Sequence, residues 1–320
     1  MSLDLDALAL RIARELAGAD GAAGSATPTM RAPHSASRGG APRETSPATV
    51  TTTSQQAGGV AAPAGVSYVR SQARIADFID HTLLKAEATR TEVETLCTEA
   101  VEHGFASVCV NPAWVPLCAE RVRGSSVKVC TVIGFPLGSN SPETKAFEAA
   151  LAVRQGAGEV DMVANLSAMK SGDWSLVARD VKAVVDAARG ALVKVIIESA
   201  ALTPVEIIKA SAIAREMGAN YVKTSTGFHP AGGATAEAVA LMRLTVGDAL
   251  GVKASGGVRD CATALKMINA GATRIGTSSG VTMAQCLGPG PLPLGELLAT
   301  VEAHTGRCLA CAAPQGAGAY

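Results

Sequence analysis

Residues 221–228 read YVKTSTGF, and residues 251–259 read GVKASGGVR. Each is a short run of strand-forming residues with a lysine inside it and a small, glycine-bearing exit. An ammonium buried in a strand must be paired or must give up its proton. A lysine that has given up its proton is a nucleophile toward carbonyls. Lys223 and Lys253 fall at matching depths, and two such lysines on nearby strands make each other harder to protonate. That is the expected route to an amine that is neutral near pH 7.

The same texture recurs on both sides of these two stretches. Strand candidates are FIDHTLL from Phe78, FASVCVN from Phe105, VKVCTVIGF from Val127, EVDMVAN from Glu159, LVKVIIES from Leu192 and RIGTSSG from Arg274. Between them lie Ala-rich amphipathic segments such as RTEVETLCTEAVEHG, PETKAFEAALAVRQG and PVEIIKASAIAREMG, each ending on the glycine that commonly stops a helix. Eight strands alternating with helices, one every ~22–33 residues, predict an all-parallel (β/α)8 TIM barrel. The competing architecture is an open doubly wound sheet, but no GxGxxG or GxxxxGK[ST] follows the first strand.

The barrel is assigned to residues 66–305. Residues 1–65 form an N-terminal extension: a short amphipathic helix over residues 3–17, then Ala, Gly, Ser, Thr and Pro with almost no large apolar side chain. Such a segment buries too little to offset its ordering entropy and is expected to be disordered. Its scattered arginines faintly suggest a transit peptide, but Asp4, Asp6 and Glu15 weigh against that. A weak helix near residues 294–302 precedes a flexible tail, residues 306–320, that ends on Tyr320.

Composition narrows the function classes. Of 320 residues 48% are hydrophobic, enough for a large core. Lys+Arg and Asp+Glu are both 28 and aromatics only 3%, so neither nucleic acid nor an anionic membrane is an expected partner. Eight cysteines, mostly scattered singly through apolar runs, suit a reducing cytoplasm better than a disulfide framework. No apolar run approaches the roughly 20 residues of a membrane helix. The five histidines, His81 among them, show no ligand spacing, so neither metal nor cofactor is expected. Cys308 and Cys311 lack a second pair, which leaves a zinc or redox role weak.

In a parallel barrel the active site lies at the C-terminal ends of the strands. Asp161 interrupts an apolar strand there, either as a structural partner for a lysine or as a proton-transfer group. Lys194, a third strand lysine, cannot be ranked against Lys223 and Lys253 by periodicity. The seventh and eighth strands exit through Gly256–Gly257 and through Gly276, Thr277, Ser278 and Ser279, where glycines admit backbone N–H groups to an anion and serines add donors. Gly227, after Thr226, adds a third edge. Cys109 is either a small core residue or a pocket wall.

The stretches IDHTLLK, VCVNPAW, TVIGFPLG, EVDMV, VKVIIE, YVKTSTGF, VKASGGVR and IGTSS, in this order, resemble the deoxyribose-phosphate aldolases across residues 76–280. The resemblance implies a class I aldolase with Lys223 as Schiff-base lysine, Lys253 as second lysine and Asp161 as its aspartate. It also implies a phosphate site on the glycines and serines after strands seven and eight, and a small phosphorylated sugar as substrate. Some members end in a terminal tyrosine, which makes Tyr320 a candidate proton donor. A homodimer is compatible with this reading, and the long N-terminal extension departs from the family core.

Overall fold

The computed structural model describes residues 72–304. The expected helix over residues 3–17, the linker after it, Cys308, Cys311 and Tyr320 lie outside them.

Eight parallel strands close into a barrel in which each bonds to its sequence neighbours and the last to the first. They are β1 (Ile79–Leu83), β2 (Ser107–Val110), β3 (Lys128–Ile133), β4 (Glu159–Val163), β5 (Leu192–Ile196), β6 (Tyr221–Lys223), β7 (Gly251–Ser255) and β8 (Arg274–Thr277). The α-helices are α1 (Arg90–His103), α2 (Val115–Arg121), α3 (Pro142–Arg154), α4 (Leu166–Lys170), α5 (Trp174–Ala187), α6 (Pro204–Glu216), α7 (Ala236–Val246), α8 (Cys261–Asn269), α9 (Gly280–Leu287) and α10 (Leu294–His304). Outside the barrel, Gln72–Ala73 pairs antiparallel with Leu292–Pro293.

Local chemistry sets the helix ends. Thr89 caps α1 and Thr203 caps α6 in reciprocal boxes with Glu92 and Glu206. Gly104 stops α1 in the left-handed region, φ +65°. Within the strands, alternate residues face opposite ways. Val108, Val160, Met162, Val193, Val195, Val222, Val252 and Ile275 join the main apolar cluster with the helices. The residues between them point inward, and here the interior divides. Leu84, Cys109, Cys130 and Val132 make a small apolar wall. Asp80, Glu159, Asp161, Lys194, Lys223, Lys253 and Arg274 make the rest, all of them buried.

The register places the chemistry. Lys223 is the Cα partner of Lys253, Lys253 of Arg274, and Asp161 of Lys194. β6 ends at Lys223, earlier than the sequence pattern suggests, although Thr224 N–H still donates to Lys253 O of β7 at 3.0 Å. Gly251 is forced by close approach: a Cβ there would lie 2.1 Å from the Tyr221 ring, which crosses from the neighbouring strand.

Candidate active site

Asp161 is the hub of the interior. Its Oδ2 accepts hydrogen bonds from Lys223 Nζ at 2.9 Å and Lys253 Nζ at 2.7 Å. Its Oδ1 accepts from Lys194 Nζ at 2.8 Å and from the Cys130 thiol at 3.1 Å. Lys194 also donates to Glu159 Oε2 at 2.6 Å, and Lys253 lies 2.6 Å from Asp80 Oδ2. Arg274 closes the network, pairing with Asp80 Oδ1 and, at 3.2 Å, with Glu159 Oε1, its guanidinium over the Tyr221 ring. Ser107 adds a hydroxyl to Asp80 Oδ1 at 2.6 Å.

Burial opposes charge on Asp80, Asp161, Lys194, Lys253 and Arg274, and the network outweighs it. Against burial, Lys194, Lys223 and Lys253 hold Asp161 well below the usual carboxylate range. Arg274, Lys253 and Lys194 do the same for Asp80. Conversely, Asp161 and Asp80 overcome the burial of Lys253 and raise it above an ordinary lysine. For Lys253 this runs opposite to the expectation that a neighbouring lysine makes it harder to protonate. Asp80, which the sequence reading passed over, lies beside Lys253 and keeps it an ammonium.

Three observations rank the lysines that periodicity left tied. Lys223 is the last residue of its strand, at the C-terminal mouth, whereas Lys194 and Lys253 lie within theirs. Lys223 keeps 3% of its surface exposed and the other two none. Lys223 touches one carboxylate, while Lys253 touches Asp80 and Asp161, and Lys194 touches Glu159, Asp161 and, at 3.7 Å, Asp80. In all, four basic side chains, Lys194, Lys223, Lys253 and Arg274, face the carboxyl groups of Asp80, Glu159 and Asp161.

The exits of the last three strands meet as expected for part of the glycine set. Gly227, Gly256 and Gly257 have φ of +87°, +82° and +81°, conformations natural only to glycine. A Cβ on Gly256 would meet the Cα of Gly227 at 3.5 Å and that of Gly233 at 2.9 Å. Gly233, not singled out in the sequence, belongs to the loop that Ala234 ties to Ser255 and Gly256 by its N–H. Thr277 Oγ1 donates to Val258 O at 2.7 Å and joins the β8 exit to the β7 exit. A Cβ on Gly276 would strike Ser255 Oγ at 2.6 Å. Ser278 is exposed and Ser279 half-buried at the start of α9. The hydroxyls of Ser225 and Ser255 are buried without a partner, two donors the sequence reading missed.

Cys109 is wholly buried in the small apolar cluster with Leu84, Cys130 and Val132, and Cys130 is its register partner. Thr226 is buried, with its hydroxyl bonded to Glu198 at 2.6 Å. It lines a cavity of ≈ 270 Å³ at the barrel mouth with Pro136, Val163, Leu166 and Phe228. Lys223 does not line that cavity, which borders the lysine turn at Thr226. Ligand atoms of Cys109, Cys130 and Asp161 lie within 4.8 Å of one another, close enough to share a metal. A cation there would compete with three ammonium groups already on Asp161, an unfavourable exchange.

A closed parallel barrel with an ammonium–carboxylate network under a strand-end lysine places an amine where it can attack a carbonyl. The sequence model of the DeoC/LacD family aldolases matches residues 74–285. A deoxyribose-phosphate aldolase of Geobacillus sp. (strain WCH70) is 63% identical over 212 residues, 66% of this chain and 95% of its own. Among solved structures, the aldolase QR15 superposes with TM-score 0.63 at 45% identity, over 66% of this chain and 94% of its own. The tetrameric deoxyribose phosphate aldolase of Aeropyrum pernix gives 0.62 at 36%, over 66% and 89%. The chain belongs to the DeoC/LacD aldolase family.

Proposed function

We propose that this chain cleaves 2-deoxy-D-ribose 5-phosphate to D-glyceraldehyde 3-phosphate and acetaldehyde through an imine on Lys223. The observation that carries the reading is Asp161 Oδ2 held between Lys223 and Lys253, at 2.9 and 2.7 Å. Lys223 stands at its strand end with the fewest anionic contacts of the three lysines, which makes it the nucleophile. Its neutral Nζ attacks the open-chain aldehyde. Lys253, held as an ammonium, supplies protons, and Asp161, held as a carboxylate, receives them while the carbinolamine loses water. The protonated imine accepts the electron pair of the C2–C3 bond as the C3 hydroxyl loses its proton. Glyceraldehyde 3-phosphate leaves, and the enamine is protonated and hydrolysed to acetaldehyde.

Gly227, Gly256, Gly257, Gly276, Ser278 and Ser279 hold the phosphate, and this remote binding positions the reacting carbon. The reading is supported by the meeting of Gly227 with Gly256 and by the tie between the last two exits. The catalytic unit is the barrel, residues 66–305, acting in the cytoplasm as a homodimer. Among the described residues no helix is long and apolar enough to cross a membrane.

The test is borohydride reduction in the presence of acetaldehyde, followed by peptide mapping. A reduced adduct on Lys223 with loss of activity is the expected result. An adduct on Lys194 or Lys253 overturns the assignment. For the phosphate loops, Ser279→Asp should raise KM for the phosphorylated sugar far more than for free deoxyribose, and equal losses would sink that role.

A further inference from the structure

Glu198 stands just beyond β5, outside the ion-pair network, and takes no part in the steps above. Its backbone is left-handed, φ +56° and ψ +57°. Among the described residues other than glycine only Arg189 also has positive φ. Residues with a side chain seldom adopt this conformation unless their surroundings hold them there. The side chain is buried, and both its oxygens turn to one residue. Thr226 N–H donates to Oε1 at 3.2 Å and to Oε2 at 3.3 Å, and Thr226 Oγ1 donates to Oε2 at 2.6 Å.

The same hydroxyl oxygen accepts the Phe228 N–H at 3.1 Å. A threonine hydroxyl has one proton and two lone pairs. The proton is spent on Glu198 and one pair on Phe228, so a single lone pair remains. Thr226 follows Lys223 by three residues in the same turn, and it lines the cavity at the mouth together with Glu198, whose two carboxylate oxygens are turned to Thr226. It can therefore meet a ligand there only as a hydrogen-bond acceptor.

We propose that Glu198 is a positioning residue that sets the polarity of Thr226, presenting its hydroxyl as an acceptor for a hydroxyl of the bound sugar. The proposal rests on the aldolase reading above. A carboxylate is required for this task because it can only accept. An amide in its place would donate its NH2 to Thr226 Oγ1 and release the threonine proton toward the ligand, where it meets the hydroxyl with the wrong sign.

Glu198→Gln, equal in size, is the test, read on two substrates. Acetaldehyde carries no hydroxyl, so borohydride trapping at Lys223 should proceed as in the wild type. Cleavage of deoxyribose 5-phosphate should lose about 10–100-fold in kcat, the scale of a misoriented contact. Thr226→Val should show the same split, and the double variant should be no slower than Thr226→Val alone. If Thr226→Val does not fold because it strands the Glu198 carboxylate, the double variant is compared with Glu198→Gln instead, and equal rates are expected. Wild-type cleavage by folded Glu198→Gln, equal losses in trapping and cleavage, or additive losses in the double variant would each overturn the proposal. Failure of the wild-type protein itself to trap acetaldehyde on Lys223 would sink the aldolase reading on which it rests.

Discussion

Lys145 and Lys194 are both wholly buried and both bonded to aspartate, yet their surroundings act on them in opposite directions. Lys145, on α3, donates to Asp180 of α5 at 2.7 Å and to the Val163 carbonyl at the end of β4 at 2.8 Å. Burial lowers its pKa, Asp180 offsets only part of that, and Asp180 is itself pushed up by burial against the pull of Lys145. Lys194, inside the barrel, is raised: burial opposes its charge, but Asp161, Glu159 and Asp80 together prevail. A lone buried pair barely recovers its desolvation cost, as is general for such pairs. Where a carboxylate serves several cations, as Asp161 and Asp80 do, the attraction outweighs burial. The network also has a chemical use that a pair lacks, since protons can shift between members without leaving an isolated charge.

The largest effect that would break this contrast is on turnover. Lys253→Leu removes the ammonium shared by Asp80 and Asp161, but Arg274 remains on Asp80, and Lys194 and Lys223 on Asp161. The fold should survive, and kcat should fall by roughly 10²–10⁴, the range for a lost acid–base group. Steady-state kinetics on protein with a native unfolding transition checks both halves. Near-normal turnover would remove Lys253 from the proton transfers.

Next in size is the lone pair. Lys145→Met leaves Asp180 buried with no cation, at a cost of about 3–5 kcal/mol in denaturant unfolding. Turnover per folded molecule should be unchanged. Lys145→Met/Asp180→Leu should regain most of the loss, because two apolar side chains replace the pair. If the double variant stays as weak as the single one, the pair is more than a compensated charge. A fall in kcat for Lys145→Met would show that the Val163 clamp positions Asp161.

The barrel itself was legible because burial imposes a period. The alternation in EVDMV and the repeated strand–helix rhythm return all eight strands, and α10 begins at Leu294 as read. Their place inside apolar strands marked Lys223, Lys253 and Asp161 as candidates for a site at the strand ends, and family motifs singled them out. It could not say what they face. Arg274 and Asp80 are 194 positions apart and Glu159 and Arg274 are 115 apart, so those pairings exist only once the barrel closes. Asp80 was therefore missed, and the sign of its effect on Lys253 with it. Lys145 and Asp180 escaped for another reason: a charged residue on an amphipathic helix reads as solvated, and only the packing of α3 on α5 buries both. Glu198 ends the family stretch VKVIIE, but nothing in a sequence marks a left-handed glutamate.

The smallest effect separates the two aspartates by sign. Stability rises with pH wherever the unfolded chain binds more protons than the native one, and falls where it binds fewer. Asp161 is held below its ordinary value of 3.8, so its stabilisation is full above 3.8 and is lost as pH falls from there toward the native value. Asp180 is held above 3.8, so the native protein keeps a proton that the unfolded chain has released, and stability falls as pH rises from 3.8 through the native value. Each group can bend the stability profile by at most about 1.4 kcal/mol per pH unit. Asp161→Asn should therefore flatten the profile below pH 3.8, and Asp180→Asn should remove a downward slope above it. Urea unfolding at closely spaced pH values resolves both. Slopes of the same sign in the two variants would mean that the interior network and the lone pair are charged alike, and the contrast between them would not stand.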